Sequence, residues 1–218
     1  QMRRRMTFEG VETLSDDLKK AGKKTCFVYL GHYCNWEYVA SMADWVPEIR
    51  CAQIYHPLYN VAFDRLFLRL RSQFGGECIP MKETLRRLLA LSREEGITMV
   101  GFIADQAPKW EAMDHWTTFL HHDTSFFMGL ERIARKLDAA VYYLDIRRTR
   151  RGYYHAELKP VTLSPRDWPE GALTDEYARL LEAQIRQEPA YWLWSHNRWK
   201  RTKEEWEQRR KQPKETAV

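Results

Sequence analysis

No stretch of this chain approaches the ~18 consecutive apolar residues needed to cross a bilayer, and its longest apolar runs are strand-sized. Cysteine is scarce and carries no pattern. Cys26, Cys34, Cys51 and Cys78 form no C-x-x-C pair, and no secretory signal precedes them. A disulfide framework is therefore excluded, and reduced thiols in a cytosolic setting are expected. Cys/His fingers, glycine-rich RNA motifs and a basic zipper are also missing, which sets nucleic acid aside as a partner despite a net charge of +5. There is no internal repeat and no linker long enough to divide two domains. With 218 residues, the chain is expected to be one domain, 1–218, large enough to bury a sizeable core.

What is present is aromatic and unevenly basic. The 9 Trp, 11 Tyr and 9 Phe suit an aromatic-rich core, and Trp and Tyr also suit places where one edge is apolar and the other wet. Arg3, Arg4 and Arg5 open the chain, and from His196 to Val218 eight Lys/Arg face four Glu. Basic ends attract anionic headgroups, an acidic protein or a phosphate-bearing carrier.

Apolar runs alternate with amphipathic stretches, which predicts an α/β layer structure, a central mixed sheet flanked by helices. Strands are expected at 25–30, 51–56, 97–104, 139–147 and 153–163, the last two joined by a turn at Arg150-Arg151-Gly152. Helices are expected at 11–20, 36–45, 61–74, 85–91, 124–137 and 174–187, with Asp123 or Thr124 as N-cap of the fifth. The tail after Thr202 is polar and expected to fray.

Gly31-His32-Tyr33-Cys34-Asn35-Trp36-Glu37 follows the first strand. A histidine at a strand-to-helix turn with a carboxylate five residues on suits general-base chemistry on a hydroxyl. The spacing alone decides little, because 7 His and 30 acidic residues in 218 give about one such match by chance. Asp105 ends another expected strand, and ligands collect at the carboxyl ends of strands in open α/β sheets. Asp105 is thus a rival partner for His32, a further member of one network, or a structural acceptor; Gln106 would be a polar contact in the same pocket. Cys34 beside a histidine invites a thiol-nucleophile mechanism. Asp114, His115, His121, His122 and Asp123 invite a zinc reading, but their spacing fits no established metal motif and no metal is expected.

Gly-His-x-x-Asn-Trp-Glu resembles the His-x4-Asp/Glu block of the bacterial lipid A secondary acyltransferases, the lauroyl and myristoyl transferases of the lysophospholipid and glycerolphosphate acyltransferase superfamily. Further blocks follow in order: Tyr55-His56-Pro57-Leu58-Tyr59-Asn60, Asp64-Arg65-Leu66, Arg69-Leu70-Arg71 with Phe74-Gly75, Ala104-Asp105-Gln106, and Trp192-Leu193-Trp194 through Lys200. The likeness runs roughly from Phe8 to Arg201.

The resemblance implies a glycerolphosphate-acyltransferase-like fold and transfer of a fatty acyl chain to a hydroxyl of a lipid A precursor. The thioester donor would be acyl carrier protein or coenzyme A, with no other cofactor and no acyl-cysteine. It implies a site at the cytoplasmic face of the bacterial inner membrane and a hydrophobic N-terminal anchor preceding Gln1. His32 would be the base and Glu37 its orienting carboxylate. Asn35, Arg65, Arg69 and Arg71 would serve substrate binding. His56 stands where the family normally has Arg, and His cannot form the bidentate fork that Arg offers a phosphate. His121-His122-Asp123 likewise departs from a Phe-Gly-containing loop at the substrate entrance. These departures leave a lysophospholipid, glycolipid or aminolipid acceptor open. A non-catalytic lipid-binding protein and a thioester hydrolase are further alternatives. Tyr191 to Lys200 is expected to pack around buried Trp with its basic groups reaching outward.

Overall fold

The computed structural model describes residues 1–211; the end of the expected polar tail, 212–218, lies outside the described residues. The chain opens with a short helix α1 (Met2–Arg5) and strand β1 (Met6–Glu9), then α2 (Leu14–Lys20) and β2 (Thr25–Leu30). A 3₁₀ segment, Trp36–Asp44, precedes β3 (Ile49–Tyr55), α3 (Val61–Ser72), β4 (Glu77–Pro80), α4 (Thr84–Leu91) and β5 (Ile97–Ile103). A separate hairpin, β6 (His115–Phe119) and β7 (His122–Phe126), leads to α5 (Gly129–Leu137). The long pair β8 (Ala140–Arg150) and β9 (Tyr153–Thr162), then α6 (Ala172–Gln187) and α7 (Lys203–Lys211), complete the order.

Seven strands form one mixed sheet in the order β1-β9-β8-β2-β5-β3-β4. Only the β8–β9 pairing is antiparallel, so β2, β3, β4, β5 and β8 all run the same way. The predicted α/β class holds. Every residue of β2 is buried, because its six residues carry no charge and the strand lies between helical layers on both faces. Phe27 and Tyr29 point into one layer with α4, α5, α6 and Trp192, while Cys26, Val28 and Leu30 point into the other with Leu14, Leu18, Met42 and β1. Burying a side chain such as Phe27 or Leu30 contributes about 1.5–3 kcal/mol.

Two expected elements differ. The helix expected over 124–137 begins only at Gly129, and Thr124, Ser125 and Phe126 belong to β7. The two-residue turn between β6 and β7 uses Leu120 and His121, both at positive φ (49° and 68°). Such a turn usually announces itself by Asn-Gly, which is missing here. The α6 helix holds it from outside: the Leu120 N–H donates to Glu182 Oε2 at 2.7 Å, and the Arg186 guanidinium meets His121 Nε2 at 3.0 Å. The tail beyond Thr202 does not fray at once, since α7 packs Trp206 on Trp116 and sets Arg209 over the Trp110 ring.

Candidate active site

Strands β2 and β5 are parallel neighbours whose last paired residues are Leu30 and Ile103. Two residues further on each strand come His32 and Asp105, so strand register alone sets them side by side at the carboxyl edge. His32 Nδ1 lies 2.6 Å from Asp105 Oδ1. Asp105 Oδ2 accepts the His32 backbone N–H at 3.0 Å and the Trp192 indole N–H at 2.8 Å. Asp105 is only 3% exposed. Burial pushes its carboxyl up, but the bond and charge of His32, with the Trp192 donor, outweigh this and hold it below the ordinary value. An ionised carboxylate only accepts hydrogen bonds, so in the neutral imidazole the proton sits on Nδ1 and the lone pair on Nε2. The His32 side chain remains 18% exposed.

The C-terminal aromatic segment frames this loop. The Leu193 N–H donates to the His32 carbonyl, the Cys34 N–H donates to the Tyr191 carbonyl, and the Tyr33 hydroxyl donates to the Glu188 carbonyl. Gly31 is required by close approach: a Cβ there would stand 2.5 Å from Leu181 Cδ1, a fully buried side chain of α6.

Glu37, the orienting carboxylate that the resemblance implied, is not hydrogen-bonded to His32 in the structure. Its carboxylate is taken by Arg71 in a two-pronged pair, Nε to Oε2 at 2.9 Å and Nη2 to Oε1 at 2.5 Å. The pair holds the Arg71 guanidinium above its ordinary value, chiefly through the Glu37 bond. The pair ties α3 to the 3₁₀ segment through Nε and Nη2 of Arg71. Arg65 and Arg69 lie exposed on the outer side of α3. His56 is exposed at the end of β3, its Nδ1 2.9 Å from the Pro57 carbonyl oxygen. Asn35 is half-buried beside His32, and Gln106 is exposed next to Asp105.

A family model of bacterial lipid A biosynthesis acyltransferases matches residues 1–201. The chain belongs to that family. No curated protein matches it.

In this lipid A biosynthesis acyltransferase, the other clusters that invited a chemistry have their own local geometry. Asp114, His115, His121, His122 and Asp123 do not converge: His115 pairs with Asp175 at 2.7 Å, Asp114 with Arg132, Asp123 with Lys203, and His122 lies against the Trp199 ring. Among the described residues, no group of three such side chains is arranged to hold a metal ion. Cys34 is half-buried at φ 52°, and desolvation pushes its thiol up to about 11, the opposite of what a nucleophilic thiolate needs. Cys34→Ser is expected to leave kcat within about threefold, whereas an acyl-cysteine route would lose more than about 10³-fold. Steady-state transfer rates decide between them.

Trp192, expected to pack, also bonds Asp105, and Arg198 departs from its expected outward course. Arg198 does not reach outward; it is 3% exposed, donates to the Ser125 carbonyl and lies over the Phe126 ring. Desolvation lowers its guanidinium to about 10. His196 Nε2 accepts the Ala107 N–H at 3.1 Å, tying the C-terminal segment to the chain just beyond Asp105. The signal for these roles was the Trp-Leu-Trp…His…Arg-Trp block itself, but nothing in the sequence says which carboxylate the indole meets.

Proposed function

We propose that this acyltransferase moves a fatty acyl chain from a thioester to a hydroxyl of a lipid A precursor, with His32 as general base and Asp105 as its orienting carboxylate. The observation that carries this reading is the Asp105–His32 bond, which engages Nδ1 and leaves Nε2 without a hydrogen bond among the described residues. His32 Nε2 removes the acceptor's hydroxyl proton as the oxygen attacks the thioester carbonyl. The tetrahedral oxyanion is held by backbone N–H groups at the start of the 3₁₀ segment, where Trp36 and Glu37 precede the first intrahelical donors. Collapse breaks the carbon–sulfur bond, and the imidazolium returns its proton to the departing thiolate. The balance needs no metal, redox cofactor or enzyme ester.

The donor in this reading is an acyl carrier protein or coenzyme A thioester, and the work takes place at the cytoplasmic face of the inner membrane. Basic groups at both ends of the chain suit acidic donors and anionic headgroups. His56 in place of Arg supports a second acceptor class, a lysophospholipid, glycolipid or aminolipid. Lipid mass spectrometry on a host lacking the gene, complemented with wild type or His32→Ala, tests both. The expected result is one lipid class short of a single acyl chain, restored by wild type only, and that class names the acceptor. Full rescue by His32→Ala would sink the catalytic assignment and favour a lipid-binding role.

A further inference from the structure

The helix α3 lies outside both layers of the core. None of its residues is fully buried, and only Asp64, Phe67, Leu68 and Arg71 turn partly inward. Among the described residues, eleven large hydrophobic side chains are exposed, and eight of them fall between residues 58 and 85. On α3 these include Phe63, 56% exposed, Leu66, 48%, and Leu70, 45%. At 100° per residue these three share a stripe about 60° wide. Leu58 and Tyr59, just before the helix, and Val61 at its start are exposed as well. Exposed apolar area gathered like this marks a surface that something covers.

Its place in the fold is informative. Strands β3, β4 and β5 are parallel neighbours, so the segments after β3 and β4 leave the sheet at the same carboxyl edge as His32 and Asp105. Its charge is equally so. Arg65 and Arg69 lie on one flank of the apolar stripe, exposed, and neither forms an ion pair among the described residues. Asp64, the acidic residue of α3, turns inward and accepts the Leu58 N–H at 2.8 Å. A second copy of this chain would bring the same cations face to face. An apolar stripe bordered by free guanidinium groups instead matches the boundary between acyl chains and anionic phosphates.

We infer that the outer face of α3 is the surface on which the protein seats against an anionic lipid bilayer. Phe63, Leu66 and Leu70 enter the headgroup boundary, and Arg65 and Arg69 reach lipid phosphates. The Glu37–Arg71 pair joins this helix to the 3₁₀ segment that follows His32, so the seated face lies toward the site where an acyl chain would be handled. That last consequence rests on the proposed function; the seating itself does not.

The test is sedimentation of the chain with vesicles of phosphatidylcholine alone or with about one third phosphatidylglycerol. The probes are wild type, Leu66→Glu/Leu70→Glu, Arg65→Gln/Arg69→Gln, and Leu163→Glu as an exposed apolar control elsewhere. Wild type is expected to bind the anionic vesicles at least tenfold more tightly than the neutral ones. The glutamate pair should lose more than tenfold on both, and the glutamine pair about 20- to 30-fold on anionic vesicles only, with a flatter salt dependence. Leu163→Glu should bind as wild type. Circular dichroism keeps misfolding separate, since α3 contributes no fully buried side chain and its variants should fold. Wild-type affinity in a folded glutamate pair would overturn the inference, as would a wild-type dimer that the glutamate pair dissolves. Vesicle binding without acyl transfer would defeat the proposed function and leave this inference standing; transfer from a soluble thioester without vesicle binding would do the reverse.

Discussion

Asp105→Asn is expected to lower kcat by about 10³- to 10⁴-fold while KM changes little, and Glu37→Gln is expected to cost no more than about tenfold. The asymmetry follows from which oxygen of Asp105 does what. Oδ2 already accepts two donors with no choice in the matter, the His32 backbone N–H and the Trp192 indole N–H. An asparagine at this place must set its carbonyl oxygen there, which turns its NH₂ toward His32 Nδ1. The ring must then accept at Nδ1 and carry its proton on Nε2, the nitrogen that has to remove the substrate proton. Geometry survives and the base does not. The ¹⁵N shifts of His32 should report the exchanged tautomer directly, a readout that simple loosening of the site would leave unmoved.

Glu37→Gln keeps a neutral partner for Arg71 and leaves the His32–Asp105 bond untouched. Its cost arises indirectly, from a looser tie between α3 and the 3₁₀ segment. If Glu37→Gln matched the Asp105→Asn loss, Glu37 would have to act on His32 itself and the assignment of the orienting carboxylate would fall. Both variants can be compared on one acyl-thioester assay at a fixed pH.

Why sequence spacing favoured Glu37 is physically clear. Five residues is a short distance along the chain, and the motif joins His32 to Glu37. The bond to Asp105 spans 73 residues and is written in strand pairing. The apolar runs of β2 and β5 were legible because both strands are buried on two faces and hold no charge. Their adjacency was not, since no residue pattern states that two strands pair. With the pairing known, equal overhangs beyond Leu30 and Ile103 bring His32 and Asp105 together. The four-residue strands β1 and β4 were too short to show a period. The β6–β7 hairpin was misread because its turn relies on Leu120 and His121 at positive φ, a conformation imposed by α6 and not by the turn residues themselves. The apolar spacing of α3 was legible, but a helical stripe usually reads as core, and only the fold shows that this one meets no core.

Glu131→Ala is expected to destabilise the fold by about 3–5 kcal/mol, a fall in Tm of about 8–15 °C for a chain of this size. Glu131 is fully buried at 0% exposure. Its Oε1 accepts the Gly171 N–H at 2.6 Å, and its Oε2 accepts the Thr174 N–H at 2.9 Å and the Thr174 hydroxyl at 2.7 Å. These donors cluster at the start of α6, whose N-cap residue, Gly171, has no side chain to satisfy them. A carboxylate from α5 thus supplies the cap across 40 residues, where the helix dipole also favours negative charge. Truncation leaves the buried Gly171 and Thr174 N–H groups without an acceptor and the Thr174 hydroxyl with only Met128 Sδ at 3.4 Å, each N–H costing about 1–3 kcal/mol, offset in part if water enters the space. Glu131→Gln keeps one oxygen and should fall between. The consequence extends to the candidate active site, because α6 also places Leu181 against Gly31 and donates the Tyr177 hydroxyl to the Leu30 carbonyl at 3.0 Å. Below its lowered melting range, Glu131→Gln should still turn over at near the wild-type rate, since neither carboxylate oxygen touches His32 or Asp105. Urea unfolding followed by circular dichroism measures the loss. A shift in Tm under about 3 °C for Glu131→Ala would mean that α6 is held by its apolar face alone and that the buried carboxylate is dispensable.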